Sequence, residues 1–381
     1  MAAPLLAACG GSSLDGDDAG GQDKGPIKIG LLLPQSGVYK SVGDDIGNGF
    51  NLYVKLNGGK LGGRKADLVY ADEGEDAASG KAAYEKLAKQ ERVPVISGVV
   101  SSATMNAIKD LVEAGPIPLV GSNASPTALK GTKFIWRTSY VNEQPGVALG
   151  KYIAQQFSGQ TVATIAADYA AGKDSVGGFV RTFTEAQGKL ETQIWTPYTG
   201  VINFQPFLTT LKNSKAKAVY CFYAGGAANQ FIKQYKDFGI TLPLYAAGFL
   251  TEGPILTQVK PPELLKDIYT SMNYSADLDN AANRKFASEY QKAYNMQPTT
   301  YAMASYDAAA VLDKAIALAG DDVSPENINA KLGQVGQIDS PRGQWQFNAD
   351  KCPLQKWYLR QVKLEGAVAT NALVSELTTL G

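Results

Sequence analysis

The chain has 381 residues, 45% of them hydrophobic, with 36 basic side chains balanced by 36 acidic ones. That length provides for two α/β lobes or one large domain, and the charge balance gives no field that would recruit nucleic acid or an anionic membrane. There is no histidine, which excludes Ser-His-Asp and Cys-His nucleophile systems and any His-ligated metal centre; no catalytic residue, metal or cofactor is expected.

The first 26 residues read as processing and tethering sequence. Cys9 ends Leu6-Ala7-Ala8-Cys9, directly after a short apolar run. The pattern is that of a bacterial lipobox, in which small residues admit the peptidase and the cysteine takes the lipid. Gly10–Gly25 holds Gly, Ser and Asp with almost nothing apolar, so it cannot bury enough surface to offset its ordering entropy and reads as a flexible leash. No later stretch approaches the ~18 uninterrupted apolar residues of a membrane span. An extracytoplasmic protein, held to the bacterial cell membrane by its lipid alone, is expected.

Strand-like runs then alternate with amphipathic helix-like ones. Ile27–Pro34 reads as a strand, Asp44–Asn57 as a helix. Ala66–Ala71, Asp76–Lys89, Val93–Val99, Ser102–Ala114 and Ile117–Val120 continue the series. Between them, Gly58–Lys65 (GGKLGGRK) is a near miss for a phosphate loop, lacking its Lys-Ser/Thr pair. A second series runs through Thr161–Ala167, Val176–Ala186, Leu190–Trp195, Phe204–Leu211, Ala218–Tyr223, Asn229–Phe238 and Leu244–Ala247. Strand Asp267–Met272, helices at Ala281–Tyr294, Tyr301–Ala319 and Pro325–Leu332, and strands at Gly343–Phe347 and Gln355–Val362 complete the chain. The strands are continuous Val/Ile/Leu runs, as a parallel sheet covered on both faces requires. Two βα series of similar length predict two doubly wound, Rossmann-like lobes, with a ligand cleft where the carboxyl ends of their strands face each other.

In this order and spacing, Gly30–Gly37 (GLLLPQSG), Asn57–Lys65 (NGGKLGGRK), Ile96–Ser102 (ISGVVSS), Val120–Pro126 (VGSNASP), Ile135–Thr138 (IWRT), Ala167–Asp174 (ADYAAGKD) and Tyr301–Ala309 (YAMASYDAA) resemble the type I periplasmic binding proteins of the branched-chain amino acid ABC importers. The resemblance implies a non-catalytic solute-binding protein that closes about a three-stranded hinge and serves a membrane permease, as a monomer. It implies crossings near Ser139–Asn142, Met272–Tyr274 and Trp345–Asn348. One lobe then comprises residues 27–140 plus 274–344, the other 141–273 plus 345–381. The same fold also serves ligand sensors, namely amide regulators and receptor ectodomains, from which the lipobox distinguishes an importer protein.

Position by position, the resemblance implies that Ser101 and Ser102, opening a helix, hold a ligand carboxylate; the N–H donors and positive dipole end of a helix N-terminus suit that role. Ser122, Asn123 and Ala124 fall on a second contact loop, Ala124 standing where a threonine hydroxyl is usual. Asn142 falls at a polar hinge position. Tyr169 and Ala171 follow a second-lobe strand, Ala171 standing where relatives often carry an aromatic ring. Tyr223, ending a strand, fits core or cleft equally. Phe249 and Glu252 follow the strand Leu244–Ala247, and Glu252 is the carboxylate for a ligand ammonium. Tyr39 and Val42 cover the ligand's apolar part. The expected solute is an amino acid with a large apolar side chain, or else an aromatic or aliphatic carboxylate. Cys221 and Cys352 are expected as free thiols, the first buried and the second exposed.

Overall fold

A computed structural model describes residues 24–381; Cys9 and most of the proposed leash lie outside the described residues. The first sheet has six strands: β1 (Ile27–Leu33), β2 (Lys60–Leu61), β3 (Arg64–Asp72), β4 (Ile96–Gly98), β5 (Leu119–Gly121) and β6 (Ile135–Arg137). Their order is β2-β3-β1-β4-β5-β6, all parallel apart from the β2–β3 pair. Helices α1 (Lys40–Leu56), α2 (Ala77–Glu85) and α3 (Ser102–Ala114) connect these strands. β1 is buried along almost its whole length, which is why it reads as an unbroken apolar run.

The second sheet has seven strands in the order β13-β12-β11-β10-β9-β7-β8. They are β7 (Thr161–Ala167), β8 (Lys189–Thr196), β9 (Ala218–Phe222), β10 (Leu244–Ala247), β11 (Ile268–Met272), β12 (Gln355–Glu365) and β13 (Val368–Leu380). Helices α4 (Gln144–Gln156), α5 (Ala170–Glu185), α6 (Gln205–Lys212), α7 (Gly225–Asp237) and the short α8 (Ile255–Gln258) accompany it. Before β12 the chain returns to the first sheet's side as α9 (Ala281–Tyr294), α10 (Thr300–Ala319) and α11 (Pro325–Leu332), with α10 packed along α1. The architecture is two-lobed α/β with a hinge.

The helix starts are set locally. The Asp76 side chain caps α2 by accepting from the N–H groups of Ala78 and Ser79, and Thr299 and Asn280 cap α10 and α9 in the same way. The glycine-rich Gly58–Lys65 segment is the β2–β3 hairpin. Gly62 turns it at φ +58°, and its N–H donates to Asp313 Oδ1 at 2.7 Å, with no room for a Cβ against Ile316 and Ala317 of α10. The near miss for a phosphate loop is thus a packing device.

The chain crosses between the sheets three times, and the crossings are tied at one atom. The Ser139 carbonyl accepts from Asn273 Nδ2 (3.0 Å), Gln355 Nε2 (2.9 Å) and Arg342 Nη1 (3.0 Å). Arg342 is fully buried and paired with Asp307 at 2.8 Å. A hinge knotted in this way lets the lobes move as rigid bodies.

Several expectations are corrected. β13, thirteen residues long and paired antiparallel with β12, is absent from the sequence reading, as are β2, β6 and α4. Gly343–Phe347 is not a strand; it contributes only single bridges, Ile338 to Trp345 and Phe347 to Pro353. Both Cys221 and Cys352 are free, but both are buried. The Phe347–Pro353 bridge folds the Cys352 segment back on itself, with Sγ 3.4 Å from Asn348 Oδ1.

Candidate ligand cavity

At the carboxyl ends of both sheets the lobes enclose a cavity lined by Tyr39, Val42, Val100, Ser102, Asn123, Ala124, Tyr140, Asn142, Tyr169, Ala171, Phe222, Ala224, Phe249 and Tyr301. The free space left between the lobes is only about 20 Å³. The lobes are therefore closed on one another. Thr127 of the first lobe donates its N–H and Oγ1 to Asp174 of α5 at 3.0 and 2.9 Å, and Gly226 N–H of α7 donates to the Val38 carbonyl at 3.0 Å.

Of the residues singled out by sequence, Tyr39, Val42, Ser102, Asn123, Ala124, Asn142, Tyr169, Ala171 and Phe249 line this one space. Ser101, Ser122, Tyr223 and Glu252 do not. Ser101 caps α3, its hydroxyl accepting from Ala103 N–H at 3.2 Å. Its own N–H is already taken. Together with Val100 N–H it donates to the buried Glu73 carboxylate, at 2.8 and 2.7 Å. The α3 terminus thus holds an anion of the protein's own. Burial pushes Glu73 up to about 7, against the pull of those two backbone donors. Ser122 is buried behind its loop, with its N–H on the Gly98 carbonyl.

Tyr223 faces away. Side chains alternate along a strand, so Tyr220 and Phe222 point to the α5 side while Cys221 and Tyr223 pack in the opposite core against Phe204 and Phe231. The cavity residue is Phe222, one position earlier. Glu252 is consumed by the protein itself. Its Oε2 meets Arg360 Nη2 at 2.8 Å, with both side chains almost wholly buried, and its Oε1 accepts from Thr300 N–H at the start of α10 at 2.8 Å. Both of its oxygens are engaged by the protein, and Glu252 does not line the cavity.

The sequence reading misses Val100, Tyr140, Phe222, Ala224 and Tyr301. Tyr301 stands inside a quoted motif; an aromatic ring in the first turn of a long helix was the available signal.

The polar lining is largely pre-arranged. Asn123 Oδ1 accepts from the Tyr140 hydroxyl at 2.9 Å while its Nδ2 donates to the Val100 carbonyl at 2.9 Å. Asn142 Nδ2 donates to Ser102 Oγ at 3.0 Å. Tyr39 and Tyr169 lie near each other across the lobes, and burial pushes Tyr39 up to about 12. A row of rings forms one wall: Tyr169 to Phe222 (6.2 Å), Phe222 to Phe249 (5.7 Å) and Phe249 to Tyr301 (5.9 Å).

Five helices begin at this cavity. Val42, Ser102, Ala171 and Tyr301 lie in the first turns of α1, α3, α5 and α10, and Ala224 precedes α7. Their positive ends converge on it. Glu73 and Glu252 answer those of α3 and α10. α1, α5 and α7 have neither a side-chain cap nor an acidic residue in the first turn. Among the described residues, those lining the cavity carry no formal charge, and no cluster of side chains could hold a metal ion.

Comparison with known proteins agrees with this arrangement. Residues 26–367 match the family described as periplasmic binding protein. A Leu/Ile/Val-binding protein homolog 6 of Brucella abortus is 27% identical over 346 residues, covering 88% of this chain and 87% of the relative. A solute-binding protein of an R. palustris ABC transporter, solved in complex with benzoate, is 32% identical with a TM-score of 0.85, covering 93% of this chain and 97% of that one. Another from R. palustris, in complex with 4-hydroxybenzoate, is 26% identical with a TM-score of 0.86, covering 93% and 97%. The chain belongs to the periplasmic binding protein family: it is an extracytoplasmic solute-binding protein of an ABC importer, not an enzyme.

Proposed function

We propose that this periplasmic binding protein captures an aromatic carboxylate and presents it to its permease. One observation carries the choice of ligand. The cavity is walled by rings, five helix N-termini point at it, and no carboxylate lines it to receive an ammonium. An anion is favoured by the dipoles, and an α-ammonium has no charged partner. Leu/Ile/Val-type ligands, the other reading from the sequence, need that partner, and Glu252 is engaged elsewhere. The benzoate complex of the 32% identical R. palustris protein supports the same reading. The ligand carboxylate sits against the open first turn of α5 and the Ser102 hydroxyl, with the ring along Phe222 and Phe249. The free space between the closed lobes is tight for a ring, so the bound lobes are expected to stand slightly further apart.

Thermal unfolding with benzoate, the three hydroxybenzoates, leucine and phenylalanine tests this. A ligand at 100 times its Kd adds ~2.7 kcal/mol of stability, and at least one aromatic acid is expected to do so while the amino acids do not. Stabilisation by leucine or phenylalanine alone refutes the reading.

We further propose that Cys9 carries the diacylglycerol anchor, as Leu6-Ala7-Ala8-Cys9 and the polar leash after it suggest. Cys9→Ser is expected to release the protein from membranes into the soluble extracytoplasmic fraction; retention on membranes rules out this anchor.

A further inference from the structure

Four tyrosines line the cavity, and their hydroxyls are not equivalent. Tyr140 donates to Asn123 at 2.9 Å. Tyr39 and Tyr169 lie near each other across the lobes. The fourth, on Tyr301, is buried with no hydrogen-bond partner. A buried hydroxyl left unpaired is destabilising, because its desolvation is not offset. It persists only where something else compensates or where a ligand completes it.

The position of Tyr301 favours completion by a ligand. Its residue is 97% buried, since 3% remains exposed. It opens α10, whose cap is made by Thr299 and whose Thr300 N–H is taken by Glu252, so its hydroxyl has no task in forming the helix. It stands three rings along the aromatic wall from Tyr169, which precedes the open first turn of α5. A ring acid anchored at α5 and lying along Phe222 and Phe249 therefore presents its far side to Tyr301.

We propose that the Tyr301 hydroxyl reads a hydroxyl substituent on the ligand ring, so that the preferred solute is a hydroxylated aromatic acid rather than benzoate itself. This rests on the reading of the cavity as an aromatic-carboxylate site. Relatives solved with benzoate and with 4-hydroxybenzoate do not decide between the two. The physical asymmetry does: a site built to hydrogen-bond a ligand hydroxyl rejects an analogue without it, because its own buried polar group is then unpaired.

The test is titration calorimetry of benzoate and of 2-, 3- and 4-hydroxybenzoate on the wild type and on Tyr301→Phe. The substitution deletes only an unpartnered oxygen, so its melting temperature is expected to hold or rise. In the wild type the best hydroxybenzoate binds at least about fivefold more tightly than benzoate. In Tyr301→Phe that preference collapses to within about twofold while benzoate binds as well or better. A hydroxyl preference that survives in Tyr301→Phe, or no preference in the wild type, overturns the inference while leaving the aromatic-acid reading intact. Failure of all four acids to bind the wild type overturns both.

Discussion

The cavity and the seam beside it are built from the same parts and end with opposite chemistry. In the cavity, helix N-termini meet rings and neutral amides, and nothing charged lines the space. In the seam, a few residues away along the same loops, Glu252, Arg360 and Asp45 are buried together: Glu252 pairs with Arg360, and Gly253 of the second lobe lies against Asp45 of α1. The difference shows where each kind of energy acts. The Tyr301 hydroxyl in the cavity is left open for a solute, whereas Glu252 and Arg360 in the seam satisfy each other within the second lobe. Asp45, at the seam between the lobes, bears on how readily the trap shuts; the cavity sets what it shuts on.

The largest expected effect breaks the seam. In Glu252→Gln, Arg360 keeps the Tyr274 carbonyl at 2.9 Å and Thr270 Oγ1 at 3.3 Å but loses the carboxylate it is paired with. Removing one partner of a buried pair costs ~3–5 kcal/mol, since the other charge stays desolvated. Urea unfolding should show a loss of that order, while aromatic-acid affinity, measured where the variant is still folded, stays within about threefold. An unchanged midpoint with a large loss of affinity would put Glu252 at the ligand and merge seam with cavity.

The contrast also explains what was legible in the sequence. The motif series carried the fold because each motif is a strand end or a helix start, and helix α3 with its Ser101 cap stands where the sequence places it. Side-chain facing was harder. On β9 the choice between Phe222 and Tyr223 is one of parity, and a one-residue slip exchanges core for cavity. Partnership was not legible at all. Arg360 lies 108 residues beyond Glu252, and Glu73 reaches the α3 terminus from the end of the neighbouring β3, so neither occupied anion site could be seen from the local pattern. β13 escaped because it is an edge strand with many half-exposed, polar residues (Thr370, Asn371, Ser375, Glu376) and lacks the apolar run that marks the buried strands.

A smaller effect sharpens the comparison by setting the seam's Asp45 against Glu73, which is buried within the first lobe. Burial raises both to about 7. Glu73 takes its hydrogen bonds from Val100 and Ser101 of its own lobe, so its titration is linked to folding. Asp45 depends on closure. Its Oδ2 has no partner, its Oδ1 receives a 3.4 Å bond from Tyr290 of α9, and the backbone of Gly253 covers it from the second lobe. The charged groups around it are Asp44 on its own helix, paired with Lys40, and Glu252 backed by Arg360. When the lobes part, Asp45 meets water and returns towards the ordinary carboxylate value of about 4. The closed state therefore binds more protons than the open state between about pH 4 and about pH 7. Closure is favoured below that window, and the advantage is lost as pH rises through the raised value. Because capture needs closure, affinity for the aromatic acid should fall roughly thirtyfold from about pH 5.5 to about pH 8, since the linkage runs from about pH 5.5 up to the raised value of about 7 and then levels off. Asp45→Asn should bind with a flat profile, and Glu73→Gln should keep the wild-type slope for binding while altering the pH dependence of unfolding. Calorimetric titrations in buffers of different ionisation enthalpy count the proton directly. A wild type that takes up no proton on binding near pH 7, or an Asp45→Asn variant with the slope intact, separates closure from the seam.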